Sequence, residues 1–208
     1  MSILKEKGLL GYNMDDKKYA QLLDLAEQEY KKMGIKSHNW EHILRVVKYC
    51  DKLSTTNQSN KDILFPAAIL HDLGREKNAE NNHSESTSTA KQILEKSGYD
   101  TLLINQIIDC IKSHSIDSTE EPSSLEAKIL FDADKLDSLG TIGIARFFIL
   151  AGEQGWNLDE ATNEALRRIT KLKKMNGFYT TQAKKLGAPK AKTAIKFYDQ
   201  LFKELEKK

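Results

Sequence analysis

The sequence predicts an all-α fold, a single domain made of many helices. Three observations lead to it. Apolar residues recur at three- and four-residue intervals along most of the chain, and strand-like alternation of β-branched residues is almost absent. The 208 residues include only 3 Pro and 11 Gly, so few segments are forced out of regular structure. An apolar fraction of 39% with 30% charged residues suits a folded, helix-rich chain and argues against disorder. The length is long for one core and short for two, so one domain over residues 1–208 is expected.

Taken in order, residues 15–33 place Leu22, Leu23, Ala26, Tyr30 and Met33 at helical spacing. Residues 38–54 do the same with Ile43, Leu44, Val46, Val47, Cys50 and Leu53. The segment 61–73 reads as a short apolar helix, with Asp62 in its first turn and Gly74 as its stop. Pro66 falls within its first turn and a half, where proline bends a helix rather than breaking it. A helix over 84–97 should stop at Gly98, and one over 101–114 has Asp100 as a plausible N-cap. The stretch SIDSTEEPSS is a polar loop. SSLE, residues 123–126, has the form of a capping box and opens a helix that runs to about Leu139. Further helices are expected at 141–152, 158–175, 178–187 and 190–206, with the segment 151–208 packing on the preceding core.

Charge is unevenly spread. The net charge is +2, yet from Arg167 to Lys208 there are 13 Lys/Arg against 3 Asp/Glu. Such a region could attract phosphate groups or simply form solvated lysine faces. Nucleic acid is not an expected partner. Cys50 and Cys110 lie far apart among apolar residues with no CxxC, which fits a reducing cytoplasm and neither a disulfide framework nor a cysteine metal site. No apolar run approaches the roughly 18 residues of a membrane span, and the first residues show no signal-peptide pattern. A cytoplasmic protein with no membrane contact is expected, and a homodimer is compatible with the sequence.

The five histidines, His38, His42, His71, His83 and His114, all fall between residues 38 and 114. Alone, each is more often a hydrogen-bonded structural residue than a ligand. His38 and His42 are four apart and share a helix face if the helix begins there. His71-Asp72 ends a run, Phe65 to Leu70, that has no other polar side chain. A buried carboxylate there needs a partner, because an unpaired buried charge costs several kcal/mol. Two readings are open for the pair: a divalent cation, or hydrogen bonds to a helix-end carbonyl. In ILFDADKLDSLG, residues 129–140, Asp132 and Asp134 point about 200° apart on a helix. One aspartate should face a site while another orients a ligand or a neighbouring helix.

The blocks His42-x-x-Arg45-Val46, His71-Asp72-x-Gly74 and Asp134-Lys135-Leu136-Asp137, in this order and spacing, resemble the HD superfamily of metal-dependent phosphohydrolases. The segments HNWEHILRV, ILHDLGRE, NHSESTSTAKQIL, IIDCIKSHS and DADKLDSLGTIGIARFF are similar to small stand-alone bacterial HD hydrolases, nucleotide pyrophosphohydrolase-like members included. The likeness is strong over an HD core of about residues 20–150 and looser beyond.

The resemblance implies an HD-domain helical fold with its metal site in the bundle core. The metal would be held by His42, His71, Asp72 and Asp134, the last chosen because it directly precedes Lys135. The ion would be Mn, Ni, Co, Fe or Zn, with Mg also compatible. His83 and His114 match histidines that hold a second metal or line the phosphate pocket, so one ion or two is expected. Lys135, Arg75 and Arg146 are candidate phosphate contacts, and Arg45 should pair with an Asp on a neighbouring helix. Asp72 joins His83 and Glu76 as candidate catalytic residues, the last two as proton donors. Asp132, Asp137 and His38 support the site. Asn39 stands where relatives carry an Asp, and Lys190 or Lys192 where they carry an Arg. The implied activity is hydrolysis of a nucleotide or other small phosphorylated metabolite by an activated water, for example (d)NTP to (d)NMP and pyrophosphate. A phosphodiesterase and a catalytically weak nucleotide-sensing module are the alternatives.

Overall fold

The computed structural model describes residues 16–74, 83–174 and 177–206. All regular structure among them is helical: α1 (Asp16–Met33), α2 (Trp40–Asn57), α3 (Lys61–Leu70), α4 (His83–Lys96), α5 (Thr101–Lys112), α6 (Leu125–Asp137), α7 (Gly140–Glu153), α8 (Leu158–Lys174) and α9 (Thr181–Glu206).

The centre of the fold follows from α3. A helix that is apolar on every side has to be surrounded, and Ile63 through Leu70 are all buried. Helices α1, α2, α5 and α6 pack around it. Tyr30 of α1 fastens itself there by donating its hydroxyl to the Ile69 carbonyl at 3.1 Å. Phe65 and Phe131, the largest fully buried side chains, lie on α3 and α6. Burial of such a ring contributes about 2–3 kcal/mol. Because α3 ends in the middle of the molecule, His71 and Asp72 are delivered to the interior, and Gly74, at φ 76°, turns the chain away in a conformation that favours glycine. Helix α2 faces α6 across the same region, and α9 lies across α6, α7 and α8.

Local signals account for most helix starts. Asp100 Oδ1 accepts from Leu103 N at 3.0 Å, as an N-cap should. Asn39 caps α2 by accepting from His42 N at 3.1 Å. The expected capping box at 123–126 is shifted. Ser124, not Ser123, is the N-cap, and Glu126 leaves the box to accept from Asn60 N at 2.7 Å, tying α6 to the start of α3. Helix α3 passes through Pro66 and ends at Leu70, so His71 and Asp72 occupy the turn after the helix rather than its last residues.

The largest departure lies at the C-terminal end. The two helices expected at 178–187 and 190–206 are one helix, α9, with Pro189 inside it. Proline there lacks an N–H for the Lys185 carbonyl. Tertiary packing outweighs that loss: Ala183, Gly187, Ala194 and Tyr198 form a buried stripe on both sides of the proline.

Candidate metal centre

Four histidines and three aspartates meet where α2, α6, α7, the end of α5 and the turn after α3 converge. His42 is in the first turn of α2 and fully buried. Its Nδ1 lies 2.8 Å from Asp137 Oδ2. A carboxylate only accepts, so Nδ1 carries the proton and the lone pair sits on Nε2. His71 Nδ1 faces the Ala68 carbonyl at 2.8 Å, and His114 Nδ1 faces the Ile111 carbonyl at 2.5 Å. These two imidazoles are therefore the same tautomer, each ring held by its own helix end.

The three Nε2 atoms point at the carboxylates. Asp72 Oδ2 is 3.2 Å from Nε2 of both His42 and His71, and Asp72 Oδ1 is 3.6 Å from His114 Nε2. Asp134 Oδ1 is 3.5 Å from His42 Nε2 and 4.0 Å from His71 Nε2. His42–His71–Asp134 and His71–Asp72–His114 form overlapping triads, each with ligand atoms within 4.8 Å of one another. His42 Nε2 is buried and has no hydrogen-bond partner. A bare lone pair facing carboxylates in a buried site is what a divalent cation would satisfy. Imidazole and carboxylate together suit a borderline-to-hard ion. The residues fit the metal that the sequence implied.

The surrounding charges are arranged for anionic aspartates. Burial pushes the Asp134 carboxyl up, but Lys135, His71 and His42 outweigh it and hold it well below the usual carboxylate range. Asp137 is likewise raised by burial and pulled back by His42, Arg45 and Arg146, to about 2. Burial depresses His114, whereas for His71 the carboxylates of Asp72 and Asp134 overcome the same effect and raise it.

Asp137 is the organiser of this network. Besides His42 it accepts from Arg45 Nε at 2.7 Å, Arg45 Nη2 at 3.1 Å and Arg146 Nη1 at 2.8 Å. The expected pairing of Arg45 with an Asp on a neighbouring helix is present. Lys135 Nζ is 2.8 Å from Asp134 Oδ2 and 5.3 Å from the centre of the Phe131 ring. Asp132 points away from the cluster. It accepts from Tyr179 N at 2.8 Å and from Thr180 N and Oγ1, each at 2.7 Å, and so holds the lead into α9. Lys190 donates to the Leu139 carbonyl at 3.2 Å, which makes it a tie between α9 and the α6–α7 corner.

A cavity of about 590 Å³ opens over the cluster, with His38, His71, His114 and Asp134 on its wall. Lys135 and Arg146, the candidate phosphate contacts, line it, although Arg146 also donates Nε to the Ser37 carbonyl at 2.9 Å. Arg167 and Arg168 of α8 line it too. The sequence reading missed both, because they open a lysine-rich region that looked like a solvated face. Glu76 and Arg75 lie outside the described residues. His83 is the first residue of α4, and its side chain is likewise outside the described part.

Fold and site together define an all-α protein with a buried His/Asp cluster able to hold a divalent metal. Residues 39–139 match the HD domain family, so the chain carries an HD domain. The chain is 28% identical over 176 residues to an uncharacterised protein of Bacillus subtilis, YpgQ, covering 81% of this chain and 84% of that one. The crystal structure of YpgQ in complex with ADP is similar at a TM-score of 0.68 and 24% identity, covering 89% of this chain and 96% of that one. An HD-superfamily hydrolase from Bacillus thuringiensis matches at a TM-score of 0.67 and 26% identity, covering 94% and 100%. A Lactobacillus plantarum protein shares the fold at a TM-score of 0.79 and 21% identity, covering 94% and 100%. The neighbours with this fold include HD-superfamily hydrolases, and fold and site support the same broad class here. Among the described residues no helix is long and apolar enough to cross a membrane.

Proposed function

We propose that this protein is a metal-dependent phosphohydrolase acting on a nucleotide or another small phosphorylated metabolite. The observation that carries the reading is the cation-binding cluster on the wall of a 590 Å³ cavity also lined by Lys135, Arg146, Arg167 and Arg168. That volume suits a small ligand. The ADP complex of YpgQ supports a nucleotide.

His42, His71, Asp72 and Asp134 would hold the ion, with His114 as a further donor beside Asp72. When bound, a divalent cation supplies Lewis acidity toward a phosphoryl oxygen and acidifies water. Asp137 and the Ala68 and Ile111 carbonyls fix the tautomers, holding the proton on Nδ1 and turning Nε2 toward the site, and orient the rings. Two neutral imidazoles and two carboxylates cancel most of a double positive charge. A polyanionic substrate therefore needs the cationic wall, where Lys135 and Arg146 face the phosphoryl oxygens. His83 and Glu76 are the proposed proton donors to the leaving group, and Arg75 a further phosphate contact.

A screen of nucleoside mono-, di- and triphosphates, cyclic nucleotides and simple phosphoesters with Mn, Ni, Co and Mg tests this, provided products are identified. Pyrophosphate as product marks a pyrophosphohydrolase; cleavage confined to diesters marks a phosphodiesterase. Asp72→Ala is expected to lose both bound metal and hydrolysis. No turnover of any compound with any of these ions would sink the reading.

A further inference from the structure

We infer that the side of the cavity built by α7, α8 and α9 is a subsite for a nucleobase, with Trp156 as its stacking platform, and that the substrate is therefore a nucleotide. The inference rests on the phosphohydrolase reading of the remaining wall. That wall divides by chemistry. Its ionisable side comes from the loop before α2, the turn after α3, the end of α5 and α6, with His38, His71, His114, Asp134 and Lys135. The α7–α9 side is mostly apolar, with Ile144, Phe147, Leu150, Trp156, Ile169 and Tyr198. A phosphoryl group beside the metal ligands leaves most of the 590 Å³ unfilled, and aromatic rings border the remainder. The arginines of α8 do not change this character. Glu164 accepts from Arg167 Nε, Arg167 Nη2 and Arg168 Nε, each at 2.7 Å. Asp117 accepts from Lys171 Nζ at 2.8 Å and Arg167 Nη1 at 3.3 Å. Three cations thus meet two carboxylates, and their charge is largely compensated before any ligand arrives. Arg168 also lays its guanidinium over the Phe147 ring, 5.8 Å from its centre.

The end of α7 sets Trp156 in place. Glu153, the last residue of α7, accepts from Lys36 N at 2.6 Å and from Ser37 Oγ at 2.5 Å, which ties this helix end to the loop before α2. Gly155, at φ 71°, then reverses the chain, and Trp156 N donates back to the Ala151 carbonyl at 2.9 Å. The indole meets Phe147 with centroids 6.3 Å apart and planes tilted by 42°. Tyr198 braces Phe147 edge-on, at 6.0 Å and 87°. Trp156 is only half-buried, and with Glu164 and Arg167 it also borders a second, more open depression. These three residues therefore stand at the edge of the cavity. A nucleobase has a flat apolar face and a polar rim, so it covers the rings while its edge stays wet. A sugar phosphate or an inorganic polyphosphate has no such face.

Binding separates the subsite from the chemistry. The probes are α,β-methylene-ADP, whose bridge resists hydrolysis, and methylenediphosphonate, the same head without a nucleoside. Both are titrated by calorimetry into the full chain with Mg present. The nucleotide is expected to bind about 10-fold tighter or more. Trp156→Ala should weaken nucleotide binding by about 5- to 150-fold, the range that base–aromatic stacking spans. It should leave methylenediphosphonate binding unchanged, and Trp156→Tyr should keep most of the nucleotide affinity. Trp40 and Trp156 are the two tryptophans, so in Trp40→Phe the emission comes from Trp156 alone. The nucleotide should quench it and methylenediphosphonate should not. Equal affinity for the two probes, no nucleotide binding, or a Trp156→Ala protein that binds the nucleotide like the parent overturns the subsite. Should Trp156→Ala lose both probes, the emission decides, and an unquenched Trp156 overturns the subsite. Hydrolysis with no preference for nucleotides over base-free phosphates also overturns it and leaves the phosphohydrolase reading standing. A nucleotide that binds and quenches in a protein that hydrolyses no phosphate compound ends that reading and supports the subsite.

Discussion

Asp137 shows how one side chain can decide the state of a whole site. Its two oxygens serve His42, Arg45 and Arg146, so one carboxylate sets the His42 tautomer and pairs two guanidinium groups. Asp137→Asn removes the charge but keeps the shape, leaving two guanidinium groups half-matched in a buried setting. The expected loss is about 3 kcal/mol of stability and roughly 10- to 100-fold in metal affinity. Urea denaturation and metal titration of the same variant would check both; unchanged affinity would remove Asp137 from its role. Residues of this kind were legible where the chemistry is contiguous. His71-Asp72 stands at the end of an apolar run, and Asp134-Lys135 interrupts another, so burial alone marks them. Ser37 and Glu153 were not legible. A serine and a glutamate 116 positions apart carry no signal until two helices bring them together. Arg167 and Arg168 were hidden for a different reason, since a charge pattern does not say which face of a helix meets a cavity.

At the scale of elements, helix positions followed from apolar spacing and caps, and the errors lie where packing overrides propensity. Pro189 reads as a break in sequence but sits on the exposed side of α9. The opposite side is held at Gly187, where an added Cβ would lie 2.1 Å from Phe178 Cε2. This contact seats α9 against the segment that Asp132 fastens to α6. Gly187→Ala should therefore cost about 1–3 kcal/mol by overpacking, despite alanine's better helix propensity. Phe178→Leu should relieve part of that cost, so the double variant should be less destabilised than the sum of the two singles. Thermal or urea melts of all three give the coupling. Strict additivity would show that the close approach does not set the position of α9.

For the whole molecule, the C-terminal helices matter because they close the cavity that the HD core opens. Asp117, in the loop after α5, holds α8 through Lys171 at 2.8 Å and Arg167 at 3.3 Å. Burial raises its carboxyl, yet Lys171 and Arg167 prevail and bring it from 3.8 to about 2. A folded-state value below the unfolded one means stability is present above the unfolded value and is lost as pH falls through the folded value. The pair is partly exposed, so Asp117→Asn should cost less than about 1 kcal/mol at neutral pH. The gap between parent and variant should narrow as pH drops from 3.8 towards about 2, measured by urea midpoints. A gap that widens on acidification would contradict the ion pair. The cluster itself has a consequence of another kind. Its donors come from α2, the turn after α3, the end of α5 and α6, segments widely separated along the chain. A cation shared among them is a reversible cross-link that closes long loops and binds only the folded chain. Filling the site would then pull the folding equilibrium by mass action, about 2.7 kcal/mol at a hundredfold excess over Kd. The supply of metal would thus govern how long the folded protein survives as well as what it can hydrolyse.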